Sequence, residues 1–152
     1  MAQPASRRPF TTPEPARTVV AEAVRLAPTL QTVLRIGTGL LFLQHGLQKM
    51  FGLLGGKAVP LASLLGVAGI LELVGGLLLV VGLFTCPVAA VLALEMVAAT
   101  VIAHAPRGGW PIQNGAELPL LYALIFAFLA ASGAGPASAD AVISTRRMRT
   151  RR

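Results

Sequence analysis

Long apolar runs organise this chain. Residues 61–84 contain one charged side chain, Glu72, and residues 87–103 contain one, Glu95; residues 118–134 contain none. Each run falls within the roughly 17–25 residues that cross a bilayer core about 30 Å thick. Residues 33–54 are less uniform, holding Arg35, Gln44, His45, Gln48 and Lys49, but 36–43 is apolar and the polar residues lie towards the two ends. The pattern predicts an all-α integral membrane protein: a four-helix bundle with short connections and antiparallel neighbours. Gly55, Gly56 and Pro60 open the first connection, and Thr85, Cys86 and Pro87 form a tight second turn. The third connection spans 106–116, and Gly133, Gly135 and Pro136 stop the last helix.

Three segments follow. Residues 1–31 read as a flexible Pro- and Arg-rich arm, with a short interfacial helix over 18–26 ahead of Pro28. Residues 32–136 carry the four spans, and 137–152 form a basic tail. The arm makes a poor secretory signal, because its apolar stretch begins late and no small-residue cleavage pattern follows.

Composition agrees with a membrane protein. The 152 residues are 55% hydrophobic and 12% charged, with a mean hydropathy of +0.72. The net charge of +7 is concentrated outside the spans. Arg7, Arg8, Arg17 and Arg25 precede the first, and Arg146, Arg147, Arg149, Arg151 and Arg152 follow the last. The positive-inside rule then places both termini in the cytoplasm. The tail reads as a topology signal in contact with anionic headgroups, and no nucleic-acid partner is expected. One cysteine, Cys86, excludes an internal disulfide and a dithiol redox centre.

The candidate chemistry lies with the polar residues of the spans. A charge at the centre of a bilayer helix costs on the order of 3 kcal/mol on insertion scales. Glu72 lies twelve residues after Pro60, and Glu95 eight after Pro87, or about 18 Å and 12 Å along helices running in opposite directions. Both reach similar depth near the midplane. Gly69, Gly75 and Gly76 share the face of Glu72, and Ala98 and Ala99 that of Glu95, so both acids are expected to face helices rather than lipid. Arg35, Thr38, Phe42, His45 and Lys49 form one stripe of the first helix. The expected polar pocket comprises His45, Gln48, Lys49, Glu72, Glu95, His104 and Glu117. The bland alternative is that these residues pair to hold the bundle together, each intramembrane hydrogen bond contributing only about 0.6 kcal/mol. No Glu-x-x-His pair is present, so a carboxylate-bridged metal site is not expected. No nucleophile lies in a recognisable elbow or triad.

The order and spacing of several short pieces resemble the DoxX family. They are Arg35-Ile36-Gly37, His45-Gly46-Leu47-Gln48-Lys49-Met50-Phe51-Gly52, Glu72-Leu73-Val74-Gly75-Gly76, Gly82-Leu83-Phe84-Thr85, Glu95-Met96 and His104. Asn114-Gly115-Ala116-Glu117, Gly133-Ala134-Gly135-Pro136, Ser138 and Asp140 complete the set. The resemblance covers about 34–140. Where the family often has Gly-Gly-Glu before the last helix, this chain has Gly115-Ala116-Glu117. It implies a multi-pass protein of the bacterial inner membrane, associated with quinone-linked oxidoreductase or oxidative-stress complexes. No covalent cofactor is implied; a quinone is the ligand it suggests, and soluble redox proteins the partners. The alternatives are a scaffold that recruits such proteins, or a small-solute or proton transporter acting as a dimer; a homo-oligomer is among the expected partners.

Overall fold

In the computed structural model, which describes residues 14–150, every regular element is a helix. The first, α1 (Glu14–Phe51), is 38 residues long, about 57 Å at 1.5 Å per residue. The short helix expected over 18–26 is therefore the start of α1 and not a separate element. Pro28 lies inside α1, where it costs one backbone hydrogen bond without ending the helix. The rest of the expected arm, residues 1–13, lies outside the described residues.

The next helix, α2 (Leu64–Val81), begins at Ser63, whose hydroxyl accepts from Gly66 N–H at 3.0 Å. It ends at Gly82 in the left-handed conformation, φ 71°. The chain turns through Leu83 and Phe84 into α3 (Thr85–Ala99). The second turn thus lies three residues earlier than the sequence pattern suggested. Thr85, Cys86 and Pro87 already belong to the first turn of α3, where a proline forfeits no hydrogen bond. A π-helical turn (Thr100–His104) and a 3-10 turn (Ala105–Arg107) prolong α3. A four-residue helix, α4 (Pro111–Asn114), precedes α5 (Glu117–Ser132), and α6 (Ala139–Arg149) follows.

Among the described residues, three segments are long and apolar enough to cross a membrane: Ala21–Phe51, Leu64–Val81 and Thr85–Arg107. The 16-residue α5 is a shorter apolar helix, about 24 Å long. Large apolar side chains point outwards on all of them; Leu94 and Leu124 are each 70% exposed. Such a surface suits hydrocarbon and not water.

Glycines set the closest approaches. A Cβ on Gly39 would stand 3.0 Å from Gly76 O, and one on Gly46 would stand 2.4 Å from Leu73 N. A Cβ on Gly69 would meet Lys49, and one on Gly75 would meet Leu92 of α3. The small-residue face expected around Glu72 therefore does bring α1 and α2 together. The core proper is Phe42, Leu79, Leu92, Met96, Tyr122, Phe126 and Leu129. Phe42 packs edge-on against Phe126 with ring centroids 4.8 Å apart.

At one end of the molecule a polar clamp fixes the helices. The Arg35 guanidinium is fully buried. It donates to Ala134 O at 2.7 Å, Val80 O at 2.8 Å and Ala137 O at 2.6 Å, and also to Leu79 O. Asp140 accepts from the backbone N–H of Phe84 and of Thr85, each at 2.9 Å. That carboxylate caps α3, where Phe84 itself sits at φ 51° and offers no side-chain cap. Gln31 donates to Ser132 O and Gly133 O at 2.9 and 2.8 Å. The middle of α1, at Gln31 and Arg35, is thus lashed to the segment between α5 and α6.

Candidate functional site

The centre of the site is an ion pair between α1 and α2. Lys49 Nζ donates to Glu72 Oε1. Glu72 is only 2% exposed, and its second oxygen, Oε2, is buried without a hydrogen-bond partner. Gly69 makes the pairing possible, because a Cβ there would lie 2.9 Å from Lys49 Cβ. Two different hollows open on either side of this pair.

The first is an open cavity of about 260 Å³ bordered by α1, α3 and α5, with Glu72 of α2 also among its lining residues. His45, Lys49, His104 and Tyr122 supply its polar groups, and Phe42 and Met96 its apolar floor. Tyr122 stacks on Phe126 at 5.7 Å and meets His45 edge-on at 6.1 Å, so its ring is held in place. His104 Nδ1 lies 3.0 Å from Asn114 O. A carbonyl can only accept, so Nδ1 carries the hydrogen, and in the neutral ring Nε2 is left as a proton acceptor. Asn114 is fixed in turn: its Nδ2 donates to Gly108 O at 2.8 Å and its Oδ1 accepts from Ala116 N–H at 2.9 Å. The π-helical turn ends at His104, where Ala105 N–H reaches back to Thr100 O, a local irregularity common at functional sites.

The second hollow is a groove of about 370 Å³ between α2 and α3, lined by Lys49, Glu72, Glu95 and apolar side chains. Both Glu95 oxygens are buried without a partner. Its neighbours Ala98 and Leu94 are exposed. Glu95 thus faces α2 across the groove, whose margin is open at Leu94 and Ala98.

The seven residues expected to share one pocket are therefore divided. His45, Lys49, Glu72 and His104 line the cavity. Glu95 lies on the groove, and nine residues separate it from His104. The π-helical turn Thr100–His104 lies between them, and the two side chains line different hollows. Gln48 donates to Leu54 O at 3.1 Å and closes the loop after α1. Glu117 is exposed at the start of α5. Tyr122 is the functional candidate that the sequence pattern did not reveal. It is the chain's one tyrosine, inside a charge-free run with nothing in its spacing to mark which way it faces. Among the described residues no group of three or more His, Cys, Asp or Glu is placed to hold a metal ion.

Comparison with known proteins bears on this arrangement. A family model described as DoxX matches residues 30–105. That stretch runs from within α1 to the 3-10 turn and includes Arg35, His45, Lys49, Glu72, Glu95 and His104. An uncharacterized protein of Haemophilus influenzae is 38% identical over 120 residues, spanning 74% of this chain and 90% of its own length. No solved structure matches. On the family match and on that identity, this chain belongs to the DoxX family.

Proposed function

We propose that the chain is a multi-pass subunit of the bacterial inner membrane that binds the headgroup of a quinone in the cavity between α1, α3 and α5. The observation that carries this reading is the chemistry around that cavity. Lys49 and Tyr122 are donors, His104 Nε2 is an acceptor, and Glu72 Oε2 is a buried oxygen with no partner. A volume of about 260 Å³ suits one small ring better than the roughly 300–1,000 Å³ of drug-sized sites. A quinone, when bound, supplies two-electron, two-proton chemistry. Tyr122 and Lys49 would hold its oxygens by donation, and His104 Nε2 would accept a proton released when the quinol form gives up its electrons. Phe42 and Tyr122, backed by Phe126, provide the apolar surface against which a ring would stack. Electrons are exchanged with a separate redox partner.

The same reading takes the helices as a four-membered bundle with antiparallel neighbours and cytoplasmic termini. It is supported by the contact order, in which Gly39 faces Gly76 and Gly46 faces Leu73, and by the arginines at both ends of the sequence. A soluble partner is a second element of the proposal. The exposed helix α6 carries Arg146, Arg147 and Arg149 in its last turn, a basic surface for anionic lipid or for the acidic face of an oxidoreductase.

The test is a quinone titration of the full chain in lipid nanodiscs, comparing wild type with His104→Ala and Tyr122→Phe. Saturable binding weakened in both variants supports the reading. Binding of equal strength in all three proteins refutes the assignment of this cavity.

A further inference from the structure

Glu95 takes no part in the quinone cavity, and its surroundings pose a separate question. Its two oxygens are buried beside the groove between α2 and α3 without any hydrogen-bond partner. Glu72, nine-tenths and more buried, reaches the same groove, and its Oε2 is unpartnered too. One ammonium, Lys49, thus stands among two carboxyl groups, and it is already committed to Glu72 Oε1. With Glu95 ionised, the groove lacks one positive charge; with Glu95 protonated, it lacks an acceptor for the carboxyl hydrogen.

Its remaining wall is apolar. Leu64, Leu94 and Ala98 at its margin are exposed, so the opening faces hydrocarbon rather than water. A second apolar hollow continues along the same two helices and shares Leu71 and Val91 with the first. The shape is that of a slot for an apolar body, with a negative group at its base. An isolated carboxylate in such surroundings is costly unless it is paired or protonated.

The geometry points to a binding site for a lipophilic monocation, an organic ammonium or onium ion bearing alkyl or aromatic groups, which enters between α2 and α3 from the bilayer and pairs with Glu95. Charge complementarity selects this occupant. A lipid tail would fill the groove but leave both Glu95 oxygens unpartnered. A second copy of the chain would bring another apolar face and no free cation from this region, since Lys49 is paired. The site adjoins the quinone cavity, and Lys49, Glu72, Met96 and Ala99 line both hollows; Glu95 belongs to the groove alone and His104 and Tyr122 to the cavity alone.

The experiment is equilibrium dialysis of radiolabelled tetraphenylphosphonium against the full chain in detergent. Wild type, Glu95→Gln, Val91→Phe and His104→Ala are compared, each checked for a wild-type gel-filtration profile. Saturable binding is expected in wild type and in His104→Ala. Loss of the carboxylate weakens it by about 30-fold or more, the usual scale for stripping one partner from a buried charge pair. Val91→Phe weakens it by filling the groove while leaving every charge in place, and so reports on the groove even if Glu95→Gln fails to fold. Three results overturn the proposal: no saturable binding in wild type, binding unchanged in Glu95→Gln or Val91→Phe, or a dimer that dissociates in Glu95→Gln without any cation bound. The last makes the groove an interface between copies. Loss of the cation in His104→Ala alone would instead place it in the quinone cavity.

Discussion

Removing the Asp140 carboxylate tests whether the polar clamp holds the bundle together. Its two oxygens accept from Phe84 N–H and Thr85 N–H at 2.9 Å each, and they cap a helix that has no cap of its own. A hydrogen bond to a charged group contributes about 1.5–3 kcal/mol. The Phe84 bond is exposed and the Thr85 bond part-buried, so water recovers some of the loss. Asp140→Ala is therefore expected to cost about 2–4 kcal/mol. Phe84 stands at φ 51°, a conformation that costs of order 1–3 kcal/mol, so any relaxation there on loss of the carboxylate offsets part of this cost. Asp140→Asn keeps one acceptor oxygen and should lose about half as much. The assay is thermal unfolding of the detergent-solubilised protein. At roughly 2–4 °C per kcal/mol for a chain of this size, Asp140→Ala should lower Tm by about 5–15 °C. A Tm within a degree of wild type would show that the cap is not a source of stability.

Other outcomes follow from the same contacts. Gly46→Ala drives a Cβ into the Leu73 backbone and should destabilise the protein, whereas Gly37→Ala meets nothing within 4 Å and should be neutral or gain up to about 1 kcal/mol of helix propensity; thermal unfolding of the pair separates them. Lys49→Met leaves Glu72 buried and unpaired, at an expected cost of about 3–5 kcal/mol. Adding Glu72→Gln to it should restore most of that, and a double variant no more stable than Lys49→Met would contradict the pairing. Deleting residues 146–152 should weaken capture of soluble partners in a pull-down while quinone binding stays intact. Loss of both together would mean that the tail supports the fold.

The apolar runs announced the helices because hydrocarbon demands unbroken apolar length, and Gly69, Gly75 and Gly76 marked the contact face of α2 correctly. What the runs hid were features carried by single backbone angles. Gly82 moved the second turn, since one residue in the left-handed conformation ends α2 before the apolar run does. Pro28 was read as a break, yet α1 passes through it and its neighbours bond to the segment after α5. The division of the polar residues into two hollows was not legible, since the sequence pattern groups Glu95 with His104 and the π-helical turn between them leaves no mark in the spacing. The role of Tyr122 was not, since a lone tyrosine in a uniform run gives no periodicity to read. Many of the pieces that carry the family resemblance, including Arg35, Gly82 to Thr85, Gly133 to Pro136 and Asp140, meet in the clamp. Much of that signature therefore specifies the architecture and not the ligand.

The most direct test of the central claim is photocrosslinking with a quinone analogue that carries its reactive group on the ring, followed by mass-spectrometric mapping of the labelled residues. The account predicts label on residues bordering the cavity, Leu118, Tyr122 and His45 foremost, competed by unlabelled quinone and lost in Tyr122→Phe with His104→Ala. Label confined to the groove side, at Val91, Leu94 or Ala98, or label that excess quinone does not displace, would contradict it.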